Sequence, residues 1–390
     1  MTTSAANRID GIDFWRGFAL LTIFIDHGPA NIFQHVTLGN FGFSDAAELF
    51  VFLSGASVAL AFGSRFFRGE TAAAIRGIFR RAFTLYWVQV LTSLLTIAIF
   101  AAAALWWHND HLIDNDDRDT VLSSPLRGIS AILALTHQFG NVNILPLYVV
   151  LLLITPALLV LARHNDWLML LASGLIYLAA RVFELNLPSW PLDGGWYFNP
   201  LAWQLIFAIG LVVGRRLRSG GIPFDSRLFA ACLAVLAGSF AMLTDGFGLI
   251  PGLLTDTREV LDLTKTHLGL GRLVHYLALA YVIGLSGLTQ LLRRTWVFSP
   301  LALMGRHSLP VFATGCVLTT IGEVIVETRP EHFSQPLMLG AAIVVGGVLA
   351  HYAVARVLAA RRSVELHPVL ATRQTALHPR HVAAVRFTRL

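Results

Sequence analysis

Apolar runs of about 20 residues recur along the chain, and that is the length a helix needs to cross the hydrocarbon core of a bilayer. They fall near residues 12–33, 47–67, 82–107, 144–162, 167–183, 200–217, 228–243, 270–292, 301–321 and 337–360. A bilayer core holds no water to satisfy backbone N–H and C=O groups, so a spanning segment is a helix or part of a closed barrel. Runs this long, without period-two alternation, are helices. The expected fold is all-α: a polytopic integral membrane bundle of about ten transmembrane helices. Only 13% of residues are charged, against about 25% in an ordinary soluble domain. Much of the surface therefore faces lipid.

Arginine placement orients the bundle, because cytoplasmic loops carry the excess of Lys and Arg. With the N-terminus inside and each run crossing once, all the arginine clusters land inside. These are Arg65, Arg68, Arg76, Arg80 and Arg81, then Arg163, then Arg215, Arg216 and Arg218, then Arg293 and Arg294, then Arg361 and Arg362. The acidic loop with Asp110, Asp114, Asp116, Asp117 and Asp119 lands outside. Both termini are then cytoplasmic. Residues 1–362 form one transmembrane domain, and 363–390 a basic cytoplasmic tail able to touch anionic lipid. The first run has no small-residue cleavage site and reads as a retained span. Two stretches resist the scheme. Residues 126–139 lie at the outer interface or re-enter, and 244–267 form a long outer connection.

The net charge of +6 raises nucleic acid as a partner, but the arginines flank apolar runs and form no patch with interleaved aromatics. Cys232 and Cys316 sit inside apolar segments and read as small buried hydrophobes. No metal site is expected: His108 and His111 in the acidic loop read as solvated polar groups. The segment Ser54-Gly55-Ala56-Ser57 reads as small-residue helix packing.

Ionisable groups within the membrane are costly and so are functional candidates. The first run carries Asp13-Phe14-Trp15-Arg16 at its inner end and Asp26-His27 farther along. Eleven residues at 100° each bring His27 within about 20° of Arg16 around the helix, and about 16 Å along it. One face thus shows a guanidinium at the inner boundary and an imidazole toward the outer leaflet. The second run opens with Asp45 and Glu48 on the outer side, at the level of His27. A carboxylate that orients an imidazole is the usual support of a general base, so His27, Glu48 and Asp45 form the candidate catalytic set. In the third run Arg76 and Arg80 share a face, with Arg81 beside them, and two guanidiniums can converge on one anion. Weaker candidates are Arg272, His275, Lys265, His267, Arg306, His307, Glu323 and His351.

These residues carry a resemblance. The stretch Asp-Phe-Trp-Arg-Gly-Phe-Ala-Leu-Leu-Thr-Ile-Phe-Ile-Asp-His at 13–27 resembles the OpgC family, integral membrane proteins linked to succinylation of osmoregulated periplasmic glucans. So does Asn-Phe-Gly-Phe-Ser-Asp-Ala-Ala-Glu-Leu-Phe-Val-Phe-Leu-Ser-Gly at 40–55, with supporting blocks at 143–148, 198–204 and 271–275. That family is similar to the wider transmembrane acyltransferases, marked by Arg, ten residues, then His. Arg16 and His27 match that spacing, and Arg76, Arg80 and Arg81 approximate the arginine pair of the third span with a different spacing. The resemblance implies a bacterial inner-membrane acyltransferase. Its donor is a cytosolic acyl-CoA, succinyl-CoA by family, held by Arg16, Arg76, Arg80 and Arg81. Its acceptor is a periplasmic glucan, and His27 is the general base. Assembly as a homo-oligomer stays open.

Two other classes compete. A proton-coupled transporter would use His27 and Glu48 as a relay, but it would commonly show inverted repeats and interrupted helices. A non-catalytic partner in glucan assembly would not require Arg16 and His27 on one face.

Overall fold

The computed structural model describes residues 3–115, 117–191, 193–329 and 335–376, without the side chains of 3–9, 256 and 362–376. Asp116 of the acidic loop, the Arg362 side chain and the side chains of the expected basic tail thus lie outside the described residues.

Each apolar run has become helix, and there is no strand among the described residues. In chain order they are α1 (Thr3–His27), α2 (Ala46–Phe67), α3 (Thr71–Trp107), α4 (Ile144–His164), α5 (Asp166–Val182), α6 (Pro200–Arg218), α7 (Ser226–Leu243), α8 (Leu270–Leu285), α9 (Phe298–Arg306), α10 (Ser308–Glu327) and α11 (Pro336–Ala376). Seven of them are long and apolar enough to cross a membrane: α2, α3, α4 with the turn before it, α6, α7, α10 and α11. Among the others, α5 and α8 have 17 and 16 residues, and α1 carries the charges discussed above. The chain is a helical membrane protein. Outward faces agree: α7 is apolar, yet only 6% of its window is buried in the protein. Phe83, Trp87, Leu91 and Leu95 line the exposed side of α3. Such faces suit lipid.

The ninth apolar run is divided. His307 departs from helical geometry, separating α9 from α10. The cause is close packing of α9 on α1, where the backbones meet at two glycines. A Cβ on Gly17 would stand 1.9 Å from the Leu301 carbonyl oxygen, and one on Gly305 1.8 Å from that of Asp13. Arg306 then reaches Asp10 at 3.1 Å.

At the centre lies α2, whose stretch Ala46–Val58 is buried on nearly every side. It packs against α1 and α6. Gly55 lets α2 approach the Phe207 carbonyl, and Gly210 lets α6 approach that of Phe52, each leaving only 2.2 Å to a would-be Cβ. The small-residue reading of residues 54–57 is what the structure shows. Without a hydrophobic driving force between helices in lipid, such backbone contact supplies the dispersion that holds them together.

Arginines gather at one end of the bundle. Arg218 of α6 donates to the Leu60 carbonyl of α2 at 2.5 Å. Arg215 stacks over Phe67 and pairs with Asp166 at the start of α5. The opposite end is built from irregular connections. Residues 126–139 form a short helix, Pro125–Leu133, and then a buried non-helical turn in which Leu135 and Phe139 are 8% and 1% exposed. Non-helical backbone at that depth is tolerated where protein covers it or where it lines a cavity.

A bulky residue at the α1–α9 contact tests this packing. Gly305→Leu should cost about 1–3 kcal/mol through overpacking, seen as a lower thermal unfolding midpoint in detergent, whereas Gly174→Leu, with open space around it, should not.

Candidate active site

Helix α1 ends at His27, just before Gly28-Pro29. Downstream side chains take over its last carbonyls. Asn31 Nδ2 donates to the Ile25 and Gly28 oxygens at 3.1 and 2.9 Å, and Gln34 Nε2 donates to the Gly28 oxygen at 2.9 Å. This capping fixes where the imidazole stands. Its Nδ1 lies 2.8 Å from the Ile23 carbonyl oxygen. A carbonyl only accepts, so Nδ1 carries the proton and Nε2 keeps its lone pair.

His27 is exposed, and what it faces is a cavity of about 1410 Å³ at the irregular end of the bundle. Asp26, Asp45, Lys265 and Glu323 line it, each from a different element. One wall is the connection before α6, with Trp190, Trp196 and Tyr197. That wall is tied to the turn before α4: Trp190 N–H donates to the Thr136 oxygen at 3.0 Å, and His137 Nδ1 donates to the Trp190 oxygen at 3.0 Å. Trp196 is secured through its own N–H to Leu187 and its indole to Pro188. Tyr197 is left half exposed. The acidic loop, read as solvated charge, also contributes Asp114, Asn115 and Asp117 to the wall.

The start of α2 is a capping box. Asp45 Oδ1 accepts from Ala47 N–H at 2.8 Å, and Glu48 Oε2 accepts from Asp45 N–H at 2.9 Å. The remaining oxygens turn to cations from the 244–272 segment. Lys265 Nζ donates to Asp45 Oδ2 at 2.6 Å, Arg272 Nη2 reaches the same oxygen at 3.1 Å, and Arg272 Nε donates to Glu48 Oε1 at 2.7 Å. Glu48 therefore does not orient His27, as its level in the helix suggested. Both its oxygens are taken, and the Ile23 carbonyl orients the imidazole instead. The physical reason is cost: Glu48 is fully buried, and a buried carboxylate needs a counter-charge more than a catalytic partner. The same occupancy removes Glu48 from a relay with His27.

Burial works to raise the Asp45 pKa, but Lys265 and Arg272 outweigh it and hold the carboxyl below the usual carboxylate range. Burial likewise opposes charge on Lys265, and Asp45 overcomes it, raising the ammonium above its ordinary value. Next to this clamp, Ser44 N–H and its hydroxyl bond His275 Nδ1 at 3.2 and 2.7 Å, giving His275 a structural task.

At the arginine end, Arg16 Nη2 donates to Ser308 Oγ at 2.6 Å and Nη1 lies 3.7 Å from Asp13. Tyr148 of α4 and Arg81 of α3 are close enough to act on its charge. Arg81 is the half-buried member of the third-helix set, whereas Arg76 and Arg80 are exposed and have no ion-pair partner among the described residues. Between the two ends α1 and α10 share a seam. It begins at Arg16 and Ser308 and rises past Leu20, Ile23 and Phe312 to His27.

The architecture and site define a class: a helical membrane protein with an arginine-lined end, a polar cavity at the other, and a lone-pair imidazole between them. Within that class the chain belongs to the OpgC family: the family model described as OpgC protein matches residues 8–363. No curated protein and no solved structure matches this chain.

The clamp predicts two measurements. Arg272→Ala leaves Glu48 buried without its counter-charge and should cost about 3–5 kcal/mol of stability, read as a lower unfolding midpoint that Arg272→Lys partly restores. The lowered Asp45 pKa means its contribution is present above the unfolded value near about 4 and is lost as pH falls through the folded value. That of Lys265, whose pKa is raised, is present below about 10.4 and lost as pH rises further. The unfolding midpoint should be level between about pH 5 and 9 as far as this pair is concerned. In Lys265→Ala the plateau should be lower and the acid limb shallower.

Proposed function

We propose that this protein is a bacterial inner-membrane O-acyltransferase that moves a short acyl group, succinyl by family, from cytosolic acyl-CoA to a hydroxyl of a periplasmic glucan. About ten helices cross the membrane in this reading, with both termini and the arginine end in the cytoplasm. The observation that carries it is the fixed tautomer of His27. With Nδ1–H committed to Ile23, Nε2 is a base at the edge of a large polar cavity.

The chemistry is acyl transfer. His27 Nε2 takes the proton of a sugar hydroxyl as its oxygen attacks the thioester carbonyl. The tetrahedral adduct collapses, the C–S bond breaks, and the CoA sulfur recovers the proton from the imidazolium. Asp45 and Glu48 support this indirectly, by holding the start of α2 and the 244–272 segment around the cavity. No metal is called for.

The donor is bound as a polyanion. Arg16 and Arg81 converge at the arginine end, with Arg76 and Arg80 exposed beside them for phosphates. The seam between α1 and α10 gives a thioester arm its direction toward His27. The acceptor is supported by the cavity wall. Aromatic faces at Trp190, Trp196 and Tyr197 suit the C–H faces of sugar rings, and amide and carboxylate groups suit their hydroxyls.

Purified protein supplied with labelled succinyl-CoA and a periplasmic-type glucan should transfer label. In His27→Ala, transfer should fall by about 10²–10⁴-fold without change in the unfolding midpoint; unchanged transfer would overturn the assigned base. Arg81→Ala should raise KM for the donor by roughly tenfold, the loss of one charge-assisted hydrogen bond. Tyr197→Ala should raise KM for the glucan and leave the donor KM alone.

A further inference from the structure

A second, much smaller space opens off the cavity at His27. It is a crevice of about 20 Å³ between α1, α10 and α11, room for about one water. Ile23, His27, Asn141 and Phe312 line both spaces, so the two are continuous at the imidazole. The α11 side of the crevice is His351.

His351 is 2% exposed and lies edge-on to Phe24, with ring centroids 4.6 Å apart. Its Nδ1 is 2.6 Å from the Gly347 carbonyl oxygen, one helical turn earlier. As at His27, the carbonyl can only accept, so Nδ1 carries the proton and Nε2 holds a lone pair. That Nε2 has no hydrogen-bond partner among the described residues. It is directed at Gly315, which also lines the crevice, and a Cβ there would stand 2.8 Å from it. Glycine at 315 is thus what leaves the nitrogen uncovered. A buried polar nitrogen without a partner is costly in an apolar bundle, and the cost points to a ligand that supplies one.

We propose that this crevice is the pocket for the transferred acyl group and that His351 is its specificity-determining residue, pairing with a carboxyl group at the far end of a short acyl chain. The inference rests on the acyltransferase reading above. With the thioester carbonyl at His27, the chain beyond it enters between Phe24, Phe312 and Gly315 and ends at His351. One proton accompanies it, shared between Nε2 and the carboxyl oxygen, so the pair is either imidazolium with carboxylate or imidazole with carboxylic acid. A methyl terminus cannot complete that bond. A space this small also excludes long acyl chains.

The test uses full-length protein in detergent and two donors of equal chain length, succinyl-CoA and butyryl-CoA, with one glucan acceptor. The unaltered protein should prefer succinyl-CoA in kcat/KM. In His351→Leu the succinyl-to-butyryl ratio should fall by at least about tenfold, the worth of one charge-assisted hydrogen bond, while butyryl transfer persists as proof of folding. Gly315→Ala, which covers Nε2, should lower the ratio in the same direction, and His351→Gln should retain part of it. An unchanged ratio in His351→Leu and Gly315→Ala would overturn the proposal. An equal fall with both donors would also overturn it, because the crevice would then carry the pantetheine arm. Absence of transfer from either donor by the unaltered protein would overturn the acyltransferase reading itself, and this inference with it.

Discussion

Glu48 has no exposed surface, and its charge is balanced by Arg272 from a helix more than 200 residues away in the chain. Around that contact the outer half of the molecule is assembled. Breaking such a pair by removing one partner costs far more than the pair contributes as a surface bridge, because an uncompensated charge remains in a medium that cannot solvate it. The pair therefore ties α8 and the connection before it to the start of α2. Lys265 on Asp45 extends the tie to the cavity wall. A long connection that would otherwise move freely becomes a fixed boundary of the site.

A different economy governs the rest of the bundle. Helices meet through glycine, as at Gly17 with Gly305 and at Gly55 with Gly210, so their backbones touch and dispersion replaces the hydrophobic drive that lipid removes. Close approach of α9 to α1 sets Arg306 beside Asp10, and α10 then places Ser308 against Arg16. The α1–α10 seam follows from this packing and joins the two chemically different ends.

Much of this was legible in residue order. Runs of spanning length specify helices because lipid permits little else, and the Arg16–His27 spacing gives a shared face by helical geometry alone. The limits are equally physical. The ninth run reads as continuous because apolar residues bridge His307, and only contact with α1 shows why it breaks. Glu48 was assigned to His27 by level along the membrane, which says nothing about which face packs where. Among the third-helix arginines, Arg76 and Arg80 share a face, but Arg81 is the one close to Arg16. The aromatic wall at Trp190, Trp196 and Tyr197 lies in an irregular segment with no period to mark it.

The sequence by itself determined an all-helical membrane protein, its family, and a guanidinium and an imidazole aligned along the first helix. Those properties depend on local periodicity, on composition and on motif, and each can be read without knowing any neighbour. Tertiary structure alone decided that Arg272 neutralises Glu48, that a backbone carbonyl sets the His27 tautomer, and that His351 stands across a crevice from it. These depend on which helix faces meet. That choice is made by the packing of the whole bundle, where each buried charge must find its partner and each close approach needs a residue without a side chain.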